Sequence, residues 1–477
     1  ISACEQSDAW KQALALFIEM RQETIHPDVI TYSSVLGSCE TADQWEFALG
    51  FLQAAQRSLE VECLLDLVWA FATFSVKNNS LFRQLAELAI LKITELKLES
   101  LSIIAWAFVS LDEAEPRLFQ TVADELVSRL TDLDLRGRSQ TAILLIAMYI
   151  RRAVWAFNFA GIHSEQLSTK ARAALRCIGQ SLDATQVAHL STLTAPRRCA
   201  SVTQFEWHST SDEPDVLMDL PDRLVILKPP AWQVDEDGIL SAAHPLSDYL
   251  HALHPVRRWA ILSDGEHDRG FLHRLDVPSS GLILVAKTYA AYHDLLLQMS
   301  SGDLVRDYVV LCRGWLPPAH SEIKARVFES KSGCSVKVCW RGRPSGTGLK
   351  VLAHAEHMGT ALSFVAIRIK TGRMHQIRVH TAHIAHPTVC DGKYTAVATF
   401  KLDSTWCPRN FLHRHRLAFR DGMGIAVEAT ACLPRDLGEA LQQVSSRNEE
   451  SAEGIQYWLR PLGSQDWDDF HVLTRGK

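Results

Sequence analysis

The chain has 477 residues, enough for about three domains, and its apolar (47%) and charged (22%) fractions are ordinary for a globular protein. No run of eighteen apolar residues occurs, so we expect no membrane partner. The net charge of −6 conceals an asymmetry, because residues 301–420 carry 19 Lys and Arg against seven Asp and Glu, a balance of +12. Such a basic segment favours a polyanionic partner, usually nucleic acid.

Cysteine usage indicates a reducing compartment. The eleven cysteines form no C-x-x-C pair, which argues against a zinc ribbon or a redox motif. An odd number of cysteines in a long chain favours free thiols inside a cell over a disulfide framework.

The first 58 residues contain a repeat. The segment "ISACEQSDAWKQAL" (1–14) aligns with "LGSCETADQWEFAL" (36–49) at a spacing of 35 residues. This pattern resembles the pentatricopeptide (PPR) repeat, a helical hairpin whose stacked copies bind single-stranded RNA. The resemblance implies PPR repeats over 1–58, truncated at the first, with Asp28 and Ser33 at the base-reading positions. Since the chain starts within a repeat and without Met, we expect a fragment that lacks any targeting peptide.

A second period of 37 residues follows. "DLVWAFATF" (66–74) and "IIAWAFVSL" (103–111) share a Trp-Ala-Phe core, which returns in "VWAFNFAG" (154–161). These segments resemble the octotricopeptide-like arrays of organellar RNA-processing factors. The resemblance implies all-α repeats over 59–193, tryptophans in the seam between helices, and location in a chloroplast or mitochondrion.

The remaining chain alternates short strands with helical stretches. After a linker at 194–217, "RLVILK" (223–228), "LILVA" (282–286) and "LSFVAIRI" (362–369) read as strands. We predict a multidomain protein, with the all-α repeat region followed by an α+β domain over 218–438 that has a mainly antiparallel mixed sheet. Residues 439–477 are polar and are predicted to form a loose tail with a short helix.

A charged triplet, Arg274-Leu275-Asp276, precedes the strand "LILVA". The residues from Val277 to Gly281 are typical of a turn, so Asp276 lies where the chain enters a buried strand. A carboxylate in that position is partly desolvated and needs a partner, unless it only caps its own turn.

Three further segments carry polar groups that could join Asp276. Tyr308 follows a polar turn on a predicted strand, and "FLHRHRLAF" (411–419) ends the basic segment. Between them, eight residues after a strand contain five side chains able to bind a polar substrate: Arg373, His375, Gln376, Arg378 and His380.

These segments resemble the RluA-type pseudouridine synthases over residues 222–436. The signature H-R-L-D-x-x-[TS]-S-G-x-x-x-x-A-K runs from His273 to Lys287, and T-G-R-x-H-Q-I-R-V-H runs from Thr371 to His380. Departures are small: Ser279 stands where Thr is usual, and Arg306 where Lys is usual before the tyrosine.

The resemblance implies a role for each matching residue. Asp276 corresponds to the catalytic aspartate, Tyr308 to the tyrosine that stacks on uracil, Arg378 to the arginine that pairs with the aspartate, and Arg274 to the residue that helps evert the nucleotide. Arg373, His375 and Gln376 are expected to bind substrate. An arginine fork suits the pairing, because it holds a desolvated carboxylate ionised.

The implied reaction breaks the N-glycosidic bond of uridine, turns the uracil over and rejoins it through carbon 5. No cofactor or metal is expected, and the partner is rRNA, tRNA or mRNA with an unpaired or evertible uridine, not DNA. Asp276 acts either as a nucleophile on the sugar or as a base toward its 2′ carbon; the sequence leaves both open.

Three other functions fit parts of the pattern. His380, His383 and His386 recur every three residues, as in some metal-dependent hydrolases, but no H-E-x-x-H motif accompanies them. A two-carboxylate glycosidase would need a second acid beside Asp276. An organellar RNA-binding adaptor could keep the fold without catalysis, although such a module has no use for Asp276, Tyr308 and Arg378 together.

Overall fold

The computed structural model divides the chain into two compact units, Ile1–Ala174 and Leu175–Lys477. It describes residues 10–23, 25, 31, 34–35, 65, 68–69, 72, 79–187, 213–234, 244–253, 259–330, 335–460, 467–470 and 472–473. Most of the predicted PPR segment and of the predicted linker at 194–217 lies outside these residues. Both stay predictions.

The first unit is helical wherever the structure describes it, as the sequence predicts. Its helices are α1 (Trp10–Gln22), α2 (Asn79–Leu91), α3 (Leu98–Ser110), α4 (Pro116–Thr131), α5 (Gln140–Phe159) and α6 (Glu165–Val187), the last of which continues into the second unit. Local signals set the starts of α4 and α5. Pro116 occupies the first turn of α4, and the Ser139 side chain accepts a hydrogen bond from the Ala142 N–H at the start of α5.

Phenylalanines, rather than tryptophans, form the centre of the Trp-Ala-Phe motif. Phe108 and Phe157 are buried, and each makes an edge-to-face contact at a centroid distance of about 5 Å, with Phe82 at 5.1 Å and with Phe119 at 5.0 Å. Trp106 and Trp155 are only half-buried. The seam role of the tryptophans stays a prediction, and the buried aromatic contacts involve the phenylalanine two positions later.

One described helix, α5, is long and apolar enough to cross a bilayer by length and composition alone. It contains no eighteen uninterrupted apolar residues, since Arg151 and Arg152 interrupt the apolar run and Gln140, Thr141 and Asn158 bound it. Eight of its side chains are buried within the unit, on the face that packs against α3. A buried core helix has the same composition.

The second unit contains a ten-stranded mixed sheet, which confirms the predicted α+β class. In sheet order its main strands are β1 (Asp215–Asp219), β2 (Arg223–Lys228), β5 (Ser280–Ala286), β12 (Leu412–Arg420), β6 (Val305–Arg313), β11 (Thr360–Ile369), β10 (Gly346–His357) and β14 (Ser445–Ser446). β13 (Ala426–Thr430) pairs with β12 and β7 (Glu322–Lys324) with β10. Among the described strands of this sheet, only β5 and β12 pair in parallel.

Short pairs and helices complete the described part of this unit. β3 (Trp232–Gln233) pairs with β4 (His244–Pro245), and β8 (Val327–Glu329) with β9 (Val336–Val338). The helices are α7 (Leu246–Leu253), α8 (Tyr289–Ser301), α9 (Gln376–His383), α10 (Val397–Asp403), α11 (Arg435–Gln442) and α12 (Glu449–Trp458). 3-10 turns occupy Ala260–Ser263, Gly265–Gly270 and Trp467–Asp469.

The C-terminal segment is packed, not loose, where the structure describes it. Trp458 on α12 stacks with Phe470 at a centroid distance of 6.0 Å, and both rings belong to the same apolar core as Phe364 and Phe411. The prediction of a loose tail over 439–477 is wrong for these residues. Its polar composition reflects the exposed face of α12, while Ile455 and Trp458 lie on the buried face.

The parallel junction between β5 and β12 fixes the turn that carries Asp276. Ser280 and Gly281 at the start of β5 pair with His413 and Arg414 of β12. Gly281 has φ of +127°, and a Cβ at this position would overlap the backbone of Arg414. The glycine therefore lets the turn before β5 lie directly against the arginine-bearing strand.

Candidate active site

Cationic side chains hold the backbone of the turn that carries Asp276. Lys228 Nζ, at the end of β2, donates to the carbonyl oxygens of Ser279 at 2.7 Å and Val277 at 3.3 Å. Arg409 Nη1 donates to the Pro278 carbonyl at 3.1 Å. Burial lowers the pKa of Lys228 to about 7. Three consecutive carbonyl groups are thus anchored from two sides, which fixes the Asp276 backbone.

Arg378 on α9 joins Asp276 to a second, fully buried carboxylate. Its Nη1 donates to Asp276 Oδ2 at 2.6 Å, while Nε and Nη2 donate to the two oxygens of Asp391 at 2.8 and 2.7 Å. Asp391 also accepts from the backbone N–H groups of Lys393 and Tyr394. One guanidinium therefore bridges an anchoring carboxylate and the carboxylate that faces the cavity.

The charge state of this network follows from its contacts. Burial opposes the charge on Arg378, but Asp391 and Asp276 outweigh it and raise the pKa of Arg378 above its usual value. Burial likewise opposes the charge on Asp391, yet the Arg378 hydrogen bonds lower the pKa of that carboxyl. Arg378 and Asp391 are accordingly both ionised at neutral pH.

His375 completes the immediate surroundings of Asp276. Its Nε2 lies 3.7 Å from Asp276 Oδ1, and its Nδ1 is 2.9 Å from the hydroxyl of Tyr394. The residue has φ of +51° just before α9. Burial lowers the pKa of His375 despite the nearby carboxylate, so the ring is mainly neutral at pH 7.

Tyr308 lies on β6 against a buried arginine of β12. Arg414 Nη2 donates to the Tyr308 hydroxyl at 2.6 Å, and the guanidinium carbon lies 4.9 Å from the ring centroid. Arg414 Nη1 is 2.7 Å from His273 Nδ1, so this imidazole nitrogen accepts the hydrogen bond and carries no proton. Burial and Arg414 together hold the pKa of His273 well below its usual value.

All seven predicted site residues line one cavity of about 710 Å³ in the second unit, namely Arg274, Asp276, Tyr308, Arg373, His375, Gln376 and Arg378. Their environments differ. Arg274 is exposed, and Arg373 is half-buried with its pKa lowered by burial to about 10. The Gln376 amide bonds Thr371, Gly346 and Thr347, which makes it part of the wall.

Sequence reasoning missed three members of this site. Lys228 and Arg414 stand inside quoted segments, but nothing in their spacing distinguishes them from strand-end or surface cations. Asp391 lies 13 residues after Arg378. Its one sequence signal is a carboxylate in the turn-like stretch "CDGKY", where a partner for a bidentate arginine could have been sought.

Two histidines of the triplet make hydrogen bonds within the protein. His380 bonds Thr347 Oγ1 at 2.9 Å and the Ala325 carbonyl at 3.1 Å, and His386 bonds the Arg313 carbonyl at 2.8 Å. Among the residues that the structure describes, no group of three or more His, Cys, Asp or Glu could hold a metal ion. These contacts give the metal-hydrolase alternative no support.

Comparisons with known proteins identify relatives of the second unit. The profile of the family described as RNA pseudouridylate synthase matches residues 222–383. The chain is 36% identical over 200 residues to the ribosomal large subunit pseudouridine synthase C of Haemophilus ducreyi, which covers 41% of this chain and 58% of that protein. It is 30% identical over 257 residues to the ribosomal large subunit pseudouridine synthase D of Yersinia pestis, covering 51% and 74% respectively.

Solved structures include a similar chain. The human RNA pseudouridylate synthase domain containing 1 is 22% identical, with a TM-score of 0.40, over 52% of this chain and 98% of that one. The present chain spans less than two thirds of the length of the Haemophilus relative.

Proposed function

Because the chain belongs to the RNA pseudouridylate synthase family, we propose that it isomerises uridine in RNA to pseudouridine, with Asp276 as the catalytic residue. The observation that carries the proposal is the single bridge from Asp276 through Arg378 to Asp391 at the wall of a large cavity. A carboxylate paired with an arginine at the wall of a cavity suits attack on a sugar or removal of its proton.

The other cavity residues suit recognition of an everted nucleotide. Eversion costs a few kcal/mol of lost stacking, which an aromatic platform and inserted side chains offset. Tyr308 supplies the ring against the uracil, and the exposed Arg274 fills the space that the nucleotide leaves in the RNA helix. Arg373 and His375 bind the remaining polar edges of the nucleotide, while Gln376 shapes the wall.

Substrate choice and location are also proposals. Since the relatives are named for the large ribosomal subunit, rRNA is the first substrate to examine, ahead of tRNA and mRNA. The helical repeats of the first unit, which resemble those of organellar RNA-processing factors, contribute target selection in a chloroplast or mitochondrion.

Conversion of a short uridine RNA by the purified protein tests the activity directly. The enzyme forms pseudouridine without an added cofactor, and the product is read by mass spectrometry after nuclease digestion. The adaptor alternative predicts RNA binding with no conversion of any uridine in rRNA, tRNA or mRNA pools.

A further inference from the structure

Arg306 on β6 is a buried cation without a counter-charge. Its side chain is 3% exposed and lines the cavity, and within the described part of the chain it makes no hydrogen bond or ion pair. Three other buried arginines of this unit each bind two carboxylates: Arg223 binds Asp222 and Asp294, Arg378 binds Asp276 and Asp391, and Arg416 binds Asp307 and Glu428.

No described carboxylate neutralises Arg306, and another arginine, Arg414, lies nearby. Burial lowers the pKa of Arg306 to about 10, although Tyr308 opposes this effect and Arg414 adds to it, so the group is still charged at neutral pH. Gly372 leaves room for this guanidinium, because a Cβ there would lie 2.8 Å from Arg306 Nη1. A buried, unpaired charge destabilises a fold, which makes its retention here a sign of a ligand.

Position along β6 indicates which part of a ligand Arg306 would meet. Side chains alternate across a strand, so Arg306 and Tyr308 share the cavity face while Asp307 points to the opposite face, where it binds Arg368 and Arg416. An everted base enters a cavity ahead of its sugar and phosphate. A cation this deeply buried beside the tyrosine therefore faces the uracil ring, not the RNA backbone.

We propose that Arg306 stabilises the negative charge that develops on uracil when the bond between ribose C1′ and uracil N1 breaks. This inference rests on the proposed function. The bonding electron pair stays on N1 and spreads to O2 and O4, the acceptors that a guanidinium suits. Either the Asp276 carboxylate bonds to C1′, or the proton on C2′ passes to that carboxylate. After the ring turns, C5 bonds to C1′ while the carboxylate leaves C1′ or returns the proton to C2′. The C5 proton then leaves and N1 regains a proton.

The first experiment compares Arg306→Met and Arg306→Lys in the full chain. The Met variant should lose about 100-fold in single-turnover rate on a short uridine RNA, as for removal of one donor from an oxyanion site. The Lys variant keeps the charge and should recover most of that loss. RNA affinity should be nearly unchanged, and the melting temperature of the Met variant should not fall, because an unpaired buried charge is removed.

The second experiment replaces the target uridine with 5-fluorouridine in the same RNA. Fluorine withdraws electrons and stabilises the uracil anion. The readout is the single-turnover consumption of 5-fluorouridine, because C5 carries fluorine and has no proton to release. In this assay the Met variant should lose only about tenfold, less than the loss for an oxyanion donor. A different result would overturn the inference: equal losses of rate on both RNAs, together with weaker RNA binding by the Met variant. If the slope of log affinity against log salt also fell by about 1, Arg306 would be identified as a phosphate contact.

Two further outcomes separate this inference from the proposed function. A fully active Met variant, or a fall in melting temperature that Lys prevents, would overturn the role of Arg306 while the enzyme itself stands. Absence of pseudouridine formation by the unmodified chain would overturn both.

Discussion

We expect Arg378 to be needed both for activity and for the stability of the fold. Replacement by Ala should abolish pseudouridine formation, because Asp276 loses its partner. It should also cost about 3–5 kcal/mol in the free energy of unfolding, because Asp391 is left buried and charged. Denaturant titration and single-turnover assays measure the two effects. Arg378→Lys is the matched control, since a point charge cannot bridge two carboxylates.

The stability loss of Arg378→Ala should depend on pH. In the unmodified chain the pKa of Asp391 is lowered, so its contribution to stability is present above about pH 4 and is lost as the pH falls through the folded-state pKa. In the variant, Asp391 takes up a proton more readily. The difference in stability between the two chains should therefore shrink from pH 7 to pH 4. A constant difference, or an active variant with unchanged melting, would contradict the bridge.

At the residue scale, the sequence predicted one ion pair of the site but not the wider network of contacts around it. The signatures placed Asp276 and Arg378 together, and the structure contains that ion pair. The sequence did not predict that Arg378 binds a second carboxylate or that Tyr308 accepts a hydrogen bond from Arg414. Both contacts join segments distant in sequence, and their geometry depends on how β6, β12 and α9 pack.

At the scale of elements, strand β2 anchors the turn that carries Asp276 through the side chain of Lys228. Lys228→Met should remove the hydrogen bonds to Val277 and Ser279 and cost about 1–3 kcal/mol through unsatisfied buried carbonyls. Catalysis should fall more than RNA binding, because the Asp276 backbone is no longer fixed. The measurements are the rate and the RNA affinity on one short RNA. Lys324→Met, at an exposed site, is the control.

A Met variant of Lys228 with an unchanged rate would show that the turn holds its shape without the lysine. Equal falls in rate and in affinity would point to a general loss of folding. The melting temperature of each variant separates these outcomes.

The apolar pattern of each element decides whether it could be predicted from the sequence. "RLVILK" and "LILVA" are continuous buried apolar runs and appear as β2 and β5 within two residues of the prediction. A short C-terminal helix was predicted but its packing was not, because its apolar residues, Ile455 and Trp458, are few among polar neighbours. Its place is decided by burial against the sheet, which a local pattern does not contain.

At the scale of the whole molecule, we expect the second unit to convert uridine without the first unit. A chain of residues 175–477 keeps the helical segment in which Asp183 accepts hydrogen bonds from the N–H groups of Tyr289 and Ala290 at the start of α8. It should convert a short unpaired-uridine RNA at the rate of the full chain, while losing or scattering modification at natural sites. Turnover on the short RNA and a pseudouridine map in cells measure the two effects.

A chain that begins at residue 206 is the comparison, because it lacks Asp183 and should melt at a lower temperature. Loss of turnover by the 175–477 chain would mean that the first unit is needed for activity. An unchanged cellular map would mean that the first unit does not select the target.

Conversion of one uridine by Asp276→Asn tests the central claim most directly. The substitution keeps the side-chain shape and removes the charge, so the account predicts no pseudouridine, with RNA affinity and melting temperature close to those of the unmodified chain. Asp303→Asn, at an exposed turn, should be fully active. A folded Asp276→Asn chain that keeps about a tenth of the single-turnover rate or more would contradict the assignment of Asp276 as the catalytic residue.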